Sequence, residues 1–375
     1  MIDKIWFSHY KAFNDITEID VKPITLIIGK NSSGKSSILK LFPLLSRLFS
    51  ITCNQPMYLC MDDISLGARY EDLFHNGTTS DLMLGVGING IEISAKYYIN
   101  GGKIAIETHS TKKGDKEILL DLASDKQHVS GLINHNALRE INESWLSLRQ
   151  QVNYVGPFRI RAPHNIIFKG FDDIKTVGYN GSSAYDILLN SYLSNKTIMN
   201  QVSSWMAENL EGQAMRFTNI SNNGGIYSLE MVRGNYSVNV SSVGQGLAQV
   251  LPIIVQSYIA SPESINVFEQ PALHLHPAAH SKVAERLGIS AKERGCKYVI
   301  ESHSENMLLG FRRLVADKSN DFTPDDIAIY FVDMDENGAY LDKITLNENG
   351  DLSSWPKGVF SESFELLREI NQMRR

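Results

Sequence analysis

The stretch GKNSSGKS, Gly29 to Ser36, constrains this chain more than any other. It matches G-x-x-x-x-G-K-[ST] and stands between a continuous apolar run, PITLIIG, and a segment with helical spacing, SSILKLFPLLSRLF. A buried strand that turns through glycines into a helix can aim successive N–H groups inward, and the helix start adds its positive dipole end. That geometry suits phosphate oxygens. Lys35 is expected to reach the outer phosphates of a nucleotide, and the Ser36 hydroxyl to meet magnesium. Gly29, Asn31, Ser32, Ser33, Gly34 and Ser37 complete the expected cradle. Pro43 should end or kink the helix about two turns in, because it has no N–H and crowds the preceding turn.

Such a loop needs a second strand whose terminal carboxylate orders the metal. INVFEQ supplies one, Glu269. Shifting the register by one would put Phe268 at that point, and a phenyl ring cannot coordinate a cation. Gln270 therefore takes the place where a second carboxylate would polarise the attacking water. An amide can orient water but accepts its proton poorly.

Around these motifs the pattern is mixed. Residues 2–28 read as two strands about a turn, and GINGIEISAKYYINGGKIAIETHS alternates between N-G and G-G turns as a β-meander does. Residues 131–151 and 183–210 have helical spacing, with YVGPFRIRAP extended between them, and a hairpin is expected at about 213–240. The succession INVFEQ, AAHSKVAERLGISAKERG, KYVIESHS is strand, helix, strand, which implies parallel pairing. At the end, Phe360, Phe364, Leu367 and Ile370 share a helical face that should dock.

Apolar residues are 43% of the 375 and charged residues 21%, the balance of a globular chain with a sizeable core. A net charge of −6 gives the whole surface no reason to hold nucleic acid tightly, although a local patch could. Cys53, Cys60 and Cys296 form no C-x-x-C pair and read as reduced thiols. The apolar runs fall well short of the ~20 residues of a membrane span, and a cytoplasmic protein without membrane contact is expected.

The chain resembles the ABC-type P-loop ATPases of the SMC, recombination-repair and OLD group, especially small bacterial members with a short C-terminal tryptophan-proline domain. Besides GKNSSGKS and EQPALHLHP, the matching stretches are SHYKAF at 8–13, SLGARYEDLFHNG at 65–77, YVGPFR at 154–159, VGQGLAQVLPI at 243–253, VIESHSEN at 299–306 and WPKGVF at 355–360. The resemblance implies an α/β ABC-type ATPase head with an antiparallel β lobe, a parallel core sheet and an inserted helical subdomain. Its expected parts are an N-terminal lobe at 1–124, the helical insertion at 125–215, a C-terminal lobe at 216–320 and a small appendage at 321–375.

It also implies ATP and magnesium as ligands, and a head-to-tail dimer, or higher even oligomer, around two nucleotides. In SSVGQGLAQ the positions carried over to the partner's γ-phosphate are Ser242, Gly244 and Gly246. Lys11 matches a basic residue near the nucleotide, and His303 the switch histidine that senses the γ-phosphate. A glutamine at the site of Gln270 tends, in such enzymes, to favour a persistent ATP-bound dimer. Small members typically serve in anti-phage defence beside a nuclease or other effector, so a switch or sensor ATPase with a separate effector is expected. A DNA-repair or translocating ATPase, contacting DNA, and a non-catalytic ATP-dependent scaffold stay open as alternatives.

Three features invite other chemistry. Asp333 and Asp335 resemble a nuclease Asp-x-Asp but fit a hairpin turn better, because Asp and Asn-Gly form turns. His274 and His276 are two residues apart without a third ligand, so an interface or switch segment is expected there. Arg159, Arg161 and Lys169 could meet nucleic acid, another subunit or nucleotide, while solvated or paired charges are the commonest fate of such a run.

Overall fold

The computed structural model describes residues 1–49, 55–122, 132, 135–141, 151–221, 224–354, 369–370 and 372–373. The strands are β1 (Ile2–Ser8), β2 (Thr17–Asp20), β3 (Ile24–Gly29), β4 (Cys60–Met61), β5 (Ile64–Ser65), β6 (Leu82–Ile88), β7 (Ile91–Asn100), β8 (Lys103–Lys113) and β9 (Lys116–Asp121). They continue as β10 (Val152–Val155), β11 (Ile166–Ile167), β12 (Ala214–Asn219), β13 (Ile226–Arg233), β14 (Tyr236–Asn239), β15 (Ile265–Glu269), β16 (Lys297–Glu301), β17 (Ile327–Asp335) and β18 (Gly338–Ile344). The helices are α1 (Lys35–Leu39), α2 (Leu41–Leu48), α3 (His135–Glu140), α4 (Ser183–Leu193), α5 (Thr197–Asn209), α6 (Gln245–Ile259), α7 (Pro277–Arg294) and α8 (Glu305–Ala316).

The core sheet runs β10-β15-β16-β3-β17-β18, and every pair in it is parallel except the hairpin β17–β18. Its central strands β3 and β15 are buried at every residue, as expected of strands covered on both faces. Alternate side chains divide between two cores. Ile24, Leu26 and Ile28 face a core built with α4 to α8, whereas Ile27 joins Val267, Val299 and Val332 in a core shared with α1, α2 and the second sheet. That second sheet, β2-β1-β6-β7-β8-β9, is antiparallel throughout, and β7 alternates buried and open residues along most of its length. A smaller sheet, β11-β13-β12 with β14 on β13, carries the 213–240 hairpin.

This is the mixed α/β head expected from the sequence, with several local differences. Residues 2–28 hold three strands, because the four-residue β2 adds an antiparallel edge to β1. The helix after the phosphate loop breaks at Lys40, ahead of Pro43, which lies inside α2; the carbonyl that the Pro43 ring crowds is that of Leu39. Residues 125–215 are not uniformly helical: β10 pairs with β15 at the edge of the core sheet, and of the 131–151 helix the described part is α3. Nor is 321–375 wholly an appendage. β17 pairs with β3 along six residues, because its apolar run IAIYFV is buried on both faces, so it completes the core. Phe360, Phe364 and Leu367 lie outside the described residues, as does WPKGVF, and Ile370 is exposed.

Candidate functional site: the carboxyl edge of the core sheet

Strands β3, β15 and β16 end side by side, so the loops that follow them converge on one edge, the usual ligand edge of a parallel sheet. Gly29 leaves β3 at φ 150°, and a β-carbon there would lie 2.1 Å from the Val332 carbonyl oxygen of β17; only glycine fits between the strands. The loop then enters α1 with Gly34 as its N-cap and no side-chain cap, so the first helical N–H groups stay available. Asn31 and Ser32 are exposed, Ser33 is buried with its hydroxyl on the Lys30 carbonyl at 2.9 Å, and the Ser37 carbonyl accepts from Tyr10 Oη at 3.3 Å. Lys35 is 3% exposed and folds its ammonium against the Lys30 carbonyl and, at 3.5 Å, Ser33 Oγ. Burial lowers its pKa while Glu301 opposes that shift. Lys30 pairs with Asp333 at 2.7 Å, which ties the loop to the β17–β18 hairpin and makes Asp333 a hairpin partner of the loop.

Glu269 and Glu301 occupy opposed register positions at the ends of β15 and β16, 5% and 4% exposed. Tyr154 Oη, from β10, donates to Glu269 Oε1, and Ser36 Oγ donates to Glu301 Oε2 at 2.8 Å. Burial pushes the Glu269 carboxyl up to about 7, with the neighbouring Glu301 adding to the shift. Glu301 is also raised by burial, against the pull of Ser36 and Lys35. Buried carboxylates beside a hydroxyl form the all-oxygen, charge-starved donor set that magnesium takes, so the residues present fit the ion, and Ser36 and Glu269 are the expected holders. In metal-free solution the folded chain keeps a proton on Glu269 between the usual 4.5 and about 7 that the unfolded chain has released. Stability should therefore fall as pH rises through that window, by about 3 kcal/mol. Thermal unfolding in a chelator should show Tm dropping across it, and Glu269→Gln should flatten the drop.

Gln270 follows Glu269 at φ 47°, and its N–H donates to the Glu301 carbonyl at 2.9 Å. This turn is held from below by Arg159, a residue that sequence reasoning left among solvated or paired charges. Arg159 is 5% exposed, and its guanidinium donates to the carbonyls of Gly156, Gln249, Glu269 and Gln270 at 3.0–3.1 Å. Burial lowers its pKa to about 10. Arg159→Met should cost about 2 kcal/mol in urea unfolding, because buried carbonyls lose their donors, and Arg159→Lys should recover only part, lacking the fork.

His303 follows β16, with Nε2 3.9 Å from Glu301 Oε1, beyond hydrogen-bond reach. Burial and Lys35 lower its pKa, and a hydrogen bond to the Gly29 backbone opposes them. His303, Lys35, Ser36, Glu269 and Gln270 are thus gathered at one edge. Lys11 is not among these contacts: at φ 51° it sends its ammonium to the Leu66 carbonyl, near Lys40 and Asp72.

Ser242, Gly244 and Gly246 stand elsewhere, at the start of α6. Gly244 is its N-cap with no side-chain cap and open space around it, whereas a β-carbon on Gly246 would lie 2.4 Å from the His274 carbonyl. The adjoining cleft, ≈ 470 Å³, is lined by Phe158, Arg161, Ser241, Gln245 and His274 among others, and by none of residues 29–37. His276 caps α7 through Nδ1, and among the described residues no group of three His, Cys, Asp or Glu is placed to hold a metal.

Glu301, Tyr154 and Arg159 were missed as site residues. Glu301 ends the apolar strand in VIESHSEN, so a terminal carboxylate after a parallel-strand pattern was the available signal for it, whereas Tyr154 lies inside β10 and carried none. Nothing in FRIR distinguished Arg159 from Arg161.

The fold and the phosphate loop define a P-loop ATPase head of the ABC type. The chain belongs to the AAA ATPase domain family, whose model matches residues 1–146 and 88–308. A second family model, a protein of unknown function called DUF3696, matches residues 322–370. Among solved structures, an SMC head bound to the C-winged helix domain of ScpA aligns at TM-score 0.50 and 14% identity, over 92% of this chain and 98% of that one. The SMC head of Pyrococcus furiosus with an extended coiled coil, bound to the C-terminal domain of ScpA, aligns at TM-score 0.46 and 13% identity over 99% of each chain. The Thermotoga maritima SMC head aligns at 0.42 and 10%, over 92% of this chain and 99% of that one. No curated protein matches the sequence. Among the described residues no helix is long and apolar enough to cross a membrane.

Proposed function

We propose that this ATPase hydrolyses ATP slowly and works as a nucleotide-dependent dimer switch, the sensor subunit of a bacterial anti-phage complex that controls a separate effector such as a nuclease. The observation that carries the slow step is Gln270, whose amide stands directly after Glu269 in a turn fixed by Glu301 and Arg159. Phosphoryl transfer here rests on positioning and charge: Lys35 and the loop N–H groups bind phosphate, His303 faces the γ-phosphate, and Gln270 orients water without taking its proton. Magnesium would be held by Ser36 and Glu269 and would supply positive charge to the phosphate oxygens.

The uncapped start of α6, exposed at Gly244 and beside a cleft that none of residues 29–37 lines, supports donation to a second copy's nucleotide. A partner polypeptide is supported by the SMC head that carries a ScpA domain, and the defence setting by the resemblance of the motifs. Native mass spectrometry after incubation with magnesium and ATP should show even-numbered assemblies that retain ATP for hours. A monomer, assemblies filled promptly with ADP, or turnover above about 10 per second, the median for enzymes, would overturn the switch.

A further inference from the structure

We propose that His280, the fourth residue of α7, is a positioning residue that fastens the loop carrying His303 to the segment packed on the start of α6, so that nucleotide met by His303 is felt where a second copy docks. This rests on the switch reading of the site and adds the connection inside one chain. The imidazole bridges two segments that leave different strands. Its Nε2 lies 3.1 Å from the Leu275 carbonyl, which can only accept, so the hydrogen sits on Nε2 and Nδ1 accepts from Ser304 Oγ at 2.6 Å. Burial lowers the pKa of the ring, which favours this neutral form.

On one side, Ser304 follows His303 and caps α8, its Oγ accepting from the Met307 N–H at 3.1 Å. The Ser304 N–H donates to Ser302 Oγ at 3.0 Å, and the Ser302 N–H to the carbonyl of Ile27, in the strand that enters the phosphate loop. His303 is therefore held through both neighbours. On the other side, Leu275 closes a run of turns that begins at Gln270: the Leu273 N–H donates to the Gln270 carbonyl at 3.1 Å and the Leu275 N–H to the Ala272 carbonyl at 3.2 Å. His274 belongs to this run, and its carbonyl passes so close to Gly246 that no β-carbon fits between them. A shift of the run is thus passed to the start of α6 by direct contact. The Gln270 N–H on the Glu301 carbonyl joins the two segments at their bases, and His280 joins them at their far ends.

The test compares the full chain with His280→Leu, which removes both hydrogen bonds at similar bulk, and His280→Gln, which keeps one donor and one acceptor. Sedimentation in magnesium and a saturating non-hydrolysable ATP analogue reads assembly, and calorimetric titration reads affinity for ADP, which lacks the γ-phosphate. His280→Leu should raise the protein concentration needed for half-assembly about tenfold, within the usual range of coupling between two sites, while its ADP affinity stays that of the parent. His280→Gln should recover part of the loss. Assembly in His280→Leu equal to the parent's overturns the inference. So does a joint loss of assembly and ADP affinity that His280→Gln leaves uncorrected, since His280 would then support the fold alone. If the parent chain does not assemble with the analogue, the switch reading falls and this inference with it.

Discussion

Lys35→Ala should reduce affinity for ATP on the order of a thousandfold and remove measurable hydrolysis. The expectation follows from what the side chain does in the folded loop. Lys35 is 3% exposed and its ammonium rests on the Lys30 carbonyl and the Ser33 hydroxyl, contacts that phosphate oxygens replace at little conformational cost. Charge-assisted hydrogen bonds contribute about 1.5–3 kcal/mol each, and two of them to the outer phosphates account for the thousandfold. Stability should change little or rise, since burial of this ammonium already lowers its pKa. Calorimetric titration with ATP checks the affinity. An unchanged dissociation constant would mean that the loop binds nucleotide through backbone N–H groups alone, or not at all.

Gln270→Glu is expected to act in the opposite direction, raising ATP turnover on the order of a thousandfold. A positioned general base contributes about 10²–10⁴ to such a step, and an amide withholds it. The substitution is nearly isosteric, and the backbone needs no adjustment: the φ of 47° and the N–H bond to Glu301 belong to the turn, not to the side chain. The new carboxylate would join Glu269 and Glu301, whose like charges raise its pKa toward the range a base needs near neutral pH. Steady-state phosphate release under saturating ATP is the measurement. If the rate does not rise, Gln270 is not what limits hydrolysis, and assembly or product release governs the cycle instead.

Much of this site is legible in the sequence, and the reason is local geometry. GKNSSGKS sits between strand and helix, and each of its demands is met within a dozen residues: Gly29 for the close pass, Lys35 and Ser36 at a fixed spacing from it. Glu269 and Gln270 are read the same way, by ending an apolar run and rejecting the register that would put Phe268 at the magnesium position. The meander and the crossover helix α7 announced themselves by period. What stayed hidden depends on distant parts of the chain. β17 looked like an appendage because its pairing partner, β3, lies about three hundred residues away. Arg159 and Arg161 are alike in sequence, yet one is buried against four carbonyls and the other is exposed.

The sequence by itself determined the phosphate loop, the strand carboxylate after an apolar run and the amide beside it, because each is written in contiguous residues whose spacing sets their geometry. Only the tertiary structure decided which carboxylate stands next to Ser36. Strand order is a property of the assembled sheet: β16, late in the chain, slides in beside β3, and that lateral packing brings Glu301 within 2.8 Å of a hydroxyl 265 residues before it.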